Sequence, residues 1–110
     1  MDWIKESDFS VTLCEKNGTI TYMNDKAIKT FANDGGDKLI GTNVLDCHPE
    51  PSRTQLKVML ETETKNVYTI EKNGKKKLIY QAPYYENKEY KGFVEISMEI
   101  PEVMENFVRG

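Results

Sequence analysis

Asp46-Cys47-His48 gathers a carboxylate, a thiol and the chain's single histidine in consecutive positions, the parts of an activated thiol nucleophile. Groups that cooperate in such chemistry normally converge from distant segments, because adjacent side chains point apart. No second histidine exists to serve Cys14 as a base. The reading is therefore cavity-lining or structural use, with no catalytic residue and no enzymatic activity. A cysteine-based enzyme or redox switch is the chemical alternative, and it requires an unusually reactive Cys47. Zinc is disfavoured, since Cys14, Cys47 and His48 lack ligand-pair spacing. Gly36-Asp37-Lys38-Leu39-Ile40-Gly41 has the glycine spacing of a phosphate loop. However, Thr42-Asn43 stands where Lys-Ser/Thr is required, and the preceding pattern is helical.

The totals narrow the setting for these residues. A chain of 110 residues, 38% hydrophobic and 30% charged, suits one soluble domain with one core. A net charge of -3 gives no electrostatic case for nucleic acid. Lys75-Lys76-Lys77 directly follows Asn73-Gly74 and reads as a solvated hairpin rim. Met1-Asp2-Trp3-Ile4-Lys5-Glu6 has no continuous apolar run, so neither signal peptide nor membrane anchor is expected. Two cysteines are too few for a disulfide framework and point to reduced thiols in the cytoplasm. Asn17-Gly18-Thr19 matches a glycosylation acceptor but is better explained as a turn.

The elements that must position the polar residues follow from periodicity. Phe9 to Cys14 alternates like a strand, Asn17-Gly18 accepts positive φ at both turn positions, and Thr19 to Met23 resumes a β-rich run. Asn24 caps a helix from Asp25, whose face carries Ala27, Ile28, Phe31 and Ala32. Asn33-Asp34-Gly35-Gly36 ends it, and Lys38 to Gly41 allows about one further turn. Pro49-Glu50-Pro51 leads into a second helix, with a capping box at Ser52-Arg53-Thr54-Gln55, a buried stripe of Leu56, Met59 and Leu60, and a Glu61–Lys65 pair. Three strands follow: Val67 to Glu71, Leu78 to Tyr85, and Tyr90 to Ile100. Pro101 stops the last. Residues 1–8 form an N-terminal segment with a short helix, 9–101 the domain, and 102–110 a tail with one helical turn. The class is α+β, with antiparallel hairpins and helices on one side of the sheet.

In this order of elements, Gly18-Thr19-Ile20-Thr21-Tyr22-Met23-Asn24 leading into Ala27, Leu39-Ile40-Gly41-Thr42-Asn43-Val44-Leu45 and Tyr90-Lys91-Gly92-Phe93-Val94-Glu95-Ile96 resemble a PAS domain over roughly residues 8 to 101. The resemblance implies a five-stranded antiparallel sheet cupping a small pocket against the helices. It also implies a sensory module for a ligand, cofactor or partner that dimerises through the outer sheet face or an N-terminal helix. With no kinase, cyclase or DNA-binding segment recognisable, output would pass to a signalling protein in trans, as in two-component signalling.

The same resemblance frames the cofactor question. Oxygen-sensing relatives share Pro-Glu-Pro, here Pro49–Pro51, and place an iron-ligating histidine a few residues later. Ser52 to Lys57 contains none, and Leu56 stands at about that place. Light-sensing relatives place a reactive cysteine after Gly-x-Asn, but Gly41-Thr42-Asn43 is followed by Val44. Haem and flavin are therefore not expected; an unidentified small ligand is. Gly35-Gly36-Asp37 echoes the diguanylate cyclase triplet, yet that domain is longer than this chain.

Patterning leaves two phases for the sheet. An apolar stripe of Val11, Leu13, Leu78, Tyr80, Tyr84, Val94, Ile96 and Met98 facing inward would make a filled core and a ligand-free interaction module. Alignment with flavin-binding relatives favours the opposite phase, and a slip of one residue exchanges the two faces. In that phase Thr12, Cys14, Gln81, Glu95 and Ser97 converge on one polar ligand cavity, with His48 at its rim. The apolar stripe then becomes an outer face, covered in part by Trp3 and Ile4 and otherwise by a second copy in a homodimer. A buried Glu95 needs a donor or cationic partner, which points to a ligand that donates hydrogen bonds or carries positive charge.

Overall fold

Two tight turns fix the pairing of the last three strands. Asn73 and Gly74 both take positive φ, 54° and 74°, the mirror-image turn that matches strand twist. They join β3 (Asn66–Lys72) to β4 (Lys75–Glu86). Asn87 and Lys88, at 51° and 67°, do the same between β4 and β5 (Glu89–Glu99). β1 (Ser10–Glu15) and β2 (Ile20–Met23) are joined differently from the expected two-residue turn. Gly18 has a positive φ of 95° but Asn17 does not; Asn17 Oδ1 instead accepts the Thr19 N–H at 2.9 Å.

In this computed structural model, which describes residues 2–110, the strands form one five-stranded sheet in the order β2-β1-β5-β4-β3, every pair antiparallel. The helices pack on one face, so the class is α+β. β1 and β5 lie so close that a Cβ at Gly92 would sit 1.9 Å from the Cys14 carbonyl oxygen. Glycine is the residue that permits this approach.

The register lines residues up in rows across the sheet. Met23, Thr12, Glu95, Gln81 and Asn66 are successive partners in one row. Ser10, Ser97, Ile79 and Tyr68 form the next, and Ile20, Cys14, Phe93 and Pro83 the row on the other side. Because strand side chains alternate, these rows share the face under the helices. Leu13, Leu78, Tyr80, Tyr84, Ile96 and Met98 are left on the other.

Asn24 starts α1 (Asp25–Thr30) as its cap, and it does more than cap. Completely buried, it accepts the Ala27 N–H at 2.9 Å and the Val11 N–H at 3.0 Å. Its amide donates to the carbonyls of Ile4 at 2.9 Å and Phe9 at 2.8 Å. Every hydrogen-bonding direction of the side chain is used, which is how a polar group is tolerated at such a site. Three single-turn 3₁₀ segments follow, Ala32–Asp34, Gly36–Leu39 and Val44–Cys47, where the sequence suggests about one.

The second helix, α2 (Ser52–Thr62), does not form the expected capping box. Pro51 occupies the cap position and Ser52 is already helical, so the free N–H groups are reached from outside the helix. Glu50 Oε1 accepts the Thr54 N–H at 2.8 Å, and the Thr54 hydroxyl donates to the same carboxylate at 2.6 Å. The Glu61–Lys65 pair is also not made. Glu63 ends the helix in the left-handed region at φ 54°, so Lys65 lies beyond it, with Nζ 5.9 Å from the Tyr80 ring centroid.

Two apolar clusters form beneath the helices. Cys14, Phe93, Met59 and Leu60 make one, with Leu56 and Tyr90 against it. Ile20, Met23 and Ala27 make the other, with Phe31 and Leu39 against it, and Val44 touches both.

The chain ends depart from expectation. Met1 lies outside the described residues. Residues 3–6 form a turn, not a helix, and the segment docks on the start of α1: the Asp25 N–H donates to the Lys5 carbonyl at 2.9 Å, and Lys5 Nζ lies 3.1 Å from Asp25 Oδ1. Trp3 packs against Phe9 in a tilted arrangement, ring centroids 6.2 Å apart, and is itself 64% exposed. The C-terminal tail has no helical turn, and Val103, Met104, Phe107 and Val108 are exposed. A helix so short gains too little without a surface to pack on.

Candidate functional site

Between the rows described above and the helices lies a cleft of about 620 Å³. Its floor is the sheet: Thr12 and Cys14 from β1, Phe93, Glu95 and Ser97 from β5, Ile79 and Gln81 from β4, and Tyr68 and Ile70 from β3. Its roof is Phe31, Leu39, Val44, Cys47, His48 and Leu56, carried by the short turns and the first part of α2. The sheet phase is thus the one with the polar residues inside. Thr12, Cys14, His48, Gln81, Glu95 and Ser97 all line this one cleft. Its apolar lining comes from the roof and from Ile20, Met23, Ile79 and Phe93, and not from the alternating stripe of β4 and β5.

The polar residues play different parts. Cys14 is 6% exposed and packed between Phe93 and the α2 residues Met59 and Leu60. Burial pushes its thiol up from the ordinary value, so it stays protonated and acts as a small apolar group. Thr12, Gln81 and Glu95 are half-buried and Ser97 is buried. Gln81 Nε2 donates to Glu95 Oε2 at 2.9 Å across the strand pair. Tyr68 completes this corner: its hydroxyl lies 3.5 Å from Gln81 Nε2. Desolvation, and secondarily the Glu95 charge, push that phenol up.

His48 is half-buried at the roof. Its Nδ1 lies 2.7 Å from the Val44 carbonyl oxygen, and because a carbonyl only accepts, the proton is on Nδ1. A ring that carries its one proton there offers Nε2 as an acceptor. Asp46 faces Arg53, Oδ1 to Nη1 at 3.8 Å, and Cys47 is exposed. Asp46-Cys47-His48 is not assembled as a triad: the imidazole proton is committed to Val44 and the carboxylate to Arg53. Among the described residues no group of three His, Cys, Asp or Glu side chains converges in a way that would hold a metal ion. Nor is any helix among them long and apolar enough to cross a membrane.

Tyr68 and Ile70 were missed in the sequence. Alternation in Val67 to Glu71 shows two faces but not which one looks inward; the register with β4 decides it. Leu56, standing at about the place of the iron-ligating histidine of the oxygen-sensing relatives, turns an aliphatic side chain into the cleft.

No protein-family model and no curated protein matches the sequence. Solved structures do. A C-terminal domain from Streptococcus mutans superposes with a TM-score of 0.70 at 18% identity, over 86% of this chain and 78% of that one. The PAS domain of BvgS from Bordetella pertussis gives 0.64 at 18% identity, over 90% and 82%. The Aer2 receptor of Vibrio cholerae, a dual PAS-haem oxygen sensor, gives 0.65 at 13% identity, over 84% and 95%. The chain has the PAS fold. The PAS domain of the histidine kinase ThkA and a sensory box sensor histidine kinase from Vibrio cholerae are among the further matches. In this PAS fold the cleft is the space between the concave sheet face and the short helical turns, and its polar floor is the row through Thr12, Glu95 and Gln81.

Proposed function

We propose that the chain is a PAS-type sensory module that holds a small molecule in this cleft and passes occupancy on through self-association or a partner protein. The observation that carries the reading is the floor of the cleft. A scaffold whose core merely fills itself places apolar residues under its helices. Here the register instead puts Thr12, Glu95, Gln81 and Ser97 there, with room above them. A few polar groups converging beside apolar walls are what a small-molecule site consists of.

The outer face supports the signalling half of the proposal. Leu13, Leu78, Tyr80, Tyr84 and Ile96 are only half-buried, while Val67 and Met98 are 46% and 37% exposed. A contiguous apolar sheet face favours association, and a second copy offers the matching surface in a two-fold homodimer. The reading involves no catalysis, no haem and no flavin, and it places the module in the cytoplasm, away from nucleic acid and membranes.

Native mass spectrometry of the purified protein, with an absorbance spectrum of the same sample, tests this. The expected result is a dimer carrying a small-molecule mass, with no band above the protein's own. A Soret or flavin band overturns the cofactor-free reading. A bare monomer that takes up nothing from a metabolite mixture overturns the whole.

A further inference from the structure

The corner of the cleft around Glu95 carries a negative charge with no cation beside it. Among the described residues, no lysine, arginine or histidine nitrogen lies within ion-pair distance of the Glu95 carboxylate. The one side-chain donor it meets is the Gln81 amide, on Oε2 at 2.9 Å. With that amide nitrogen directed at Glu95, Gln81 presents its carbonyl oxygen as an acceptor. His48, whose Nδ1 faces the Val44 carbonyl, presents Nε2 as another acceptor when its ring carries a single proton. The cleft thus offers a carboxylate, an amide oxygen and an imine nitrogen, with the neutral hydroxyls of Thr12 and Tyr68 nearby and no cation beside them. Tyr68 also lines this corner, its hydroxyl 3.5 Å from Gln81 Nε2.

The charged groups elsewhere in the cleft do not neutralise this corner. Lys77 lies on the same face of β4 as Gln81 but four residues on, roughly 13 Å along the strand. Lys72 is farther still, at the β3–β4 hairpin. Asp34, on the opposite wall, adds a second negative group. Much of the remaining lining is apolar, with Met23, Phe31, Leu39, Val44 and Ile79 among it.

We infer that the cleft selects an organic ammonium ligand, a positively charged amine on an apolar body, with Glu95 as its counter-ion and Gln81 and His48 accepting its remaining N–H bonds. This rests on the proposal that the cleft is a ligand site, and names the class of ligand. A half-buried carboxylate without a cation is poorly solvated by the protein. A ligand ammonium supplies both the charge and the donors it lacks.

The test uses three probes of one shape: phenethylammonium, phenethyl alcohol and hydrocinnamate, each titrated into isotopically labelled protein and followed by amide NMR. The expected result is that the ammonium moves the signals of Thr12, Gln81 and Glu95 at the lowest concentration. Glu95→Gln then weakens the ammonium on the order of tenfold and leaves the alcohol unchanged. The comparison of probes on the unaltered chain stands even where the variant does not fold. If alcohol or hydrocinnamate binds in the cleft as tightly as the ammonium, the amine class is wrong and the ligand site stands. If no probe moves a cleft signal but a metabolite mixture does, the class again falls alone. If neither does, both readings fall together.

Discussion

Gln81 and Glu95 face each other across β4 and β5, joined by a 2.9 Å hydrogen bond from Nε2 to Oε2 on the floor of the cleft. The pair is half-buried, so each member protects the other from being stranded. Gln81→Leu alone removes the side-chain donor from Glu95 and is expected to cost about 1–2 kcal/mol. Replacing both residues by leucine recovers most of that loss, because no carboxylate then remains to be solvated. A double-mutant cycle from denaturant unfolding measures the coupling. Additive single effects would show that the two side chains do not depend on each other.

Asn24 acts as a four-way tether and not only as a helix cap. An ordinary cap tolerates aspartate about as well as asparagine. Here the amide N–H groups also hold the Ile4 and Phe9 carbonyls, so Asn24→Asp sets a carboxylate against two carbonyl oxygens. Both Asn24→Ala and Asn24→Asp are expected to destabilise by about 3 kcal/mol or more. A near-neutral Asn24→Asp in urea unfolding would reduce the residue to a simple cap.

The start of α2 gives a pH signature. Hydrogen bonds from the Thr54 hydroxyl and backbone hold the Glu50 carboxyl below its ordinary value. A carboxyl lowered in the folded state contributes stability that is present above its unfolded value. That contribution is lost as pH falls through the folded one. Glu50→Gln is therefore expected to lower Tm at neutral pH and to converge on the parent as pH falls through the lowered folded-state value, beneath the ordinary glutamate range. A difference that persists undiminished into acid would remove the charge from the explanation.

The thiols separate by environment. Cys14 is buried with its thiol pushed up, while Cys47 is exposed. A thiol-specific reagent at neutral pH is expected to label Cys47 at no more than the rate of a free model thiol, and Cys14 only when the domain opens. Labelling of Cys47 far faster than the model thiol would restore thiol chemistry as a candidate activity.

Much of this architecture is legible in the residues. Asn73-Gly74, the strict alternation from Leu78 to Tyr85, and Asn24 before Asp25 are local signals, and local forces decide them. The face of the sheet is not such a signal. Leu78, Tyr80 and Ile96 look like core residues by alternation, yet they lie outside, because the apolar lining of the cleft is assembled from Phe31, Leu39, Val44 and Leu56 on other elements. The cap of α2 is misplaced for a similar reason. Ser52-Arg53-Thr54-Gln55 has the right letters, but Pro51 starts the turn one residue early and hands the role to Glu50. Tyr68 joins the site only through its pairing with Ile79, a long-range choice that no window of sequence contains. His48 is held by a contact to the Val44 carbonyl four residues back, which the run Asp46-Cys47-His48 does not reveal.

The central claim is that the concave face, and not the outer one, recognises a small molecule. Side-chain carbon–proton NMR of the labelled protein with a metabolite mixture tests it most directly. The account predicts shifts concentrated at Thr12, Cys14, His48, Gln81, Glu95 and Ser97, with Leu78, Tyr80 and Ile96 still. Shifts confined to the outer residues, or none anywhere, would contradict it.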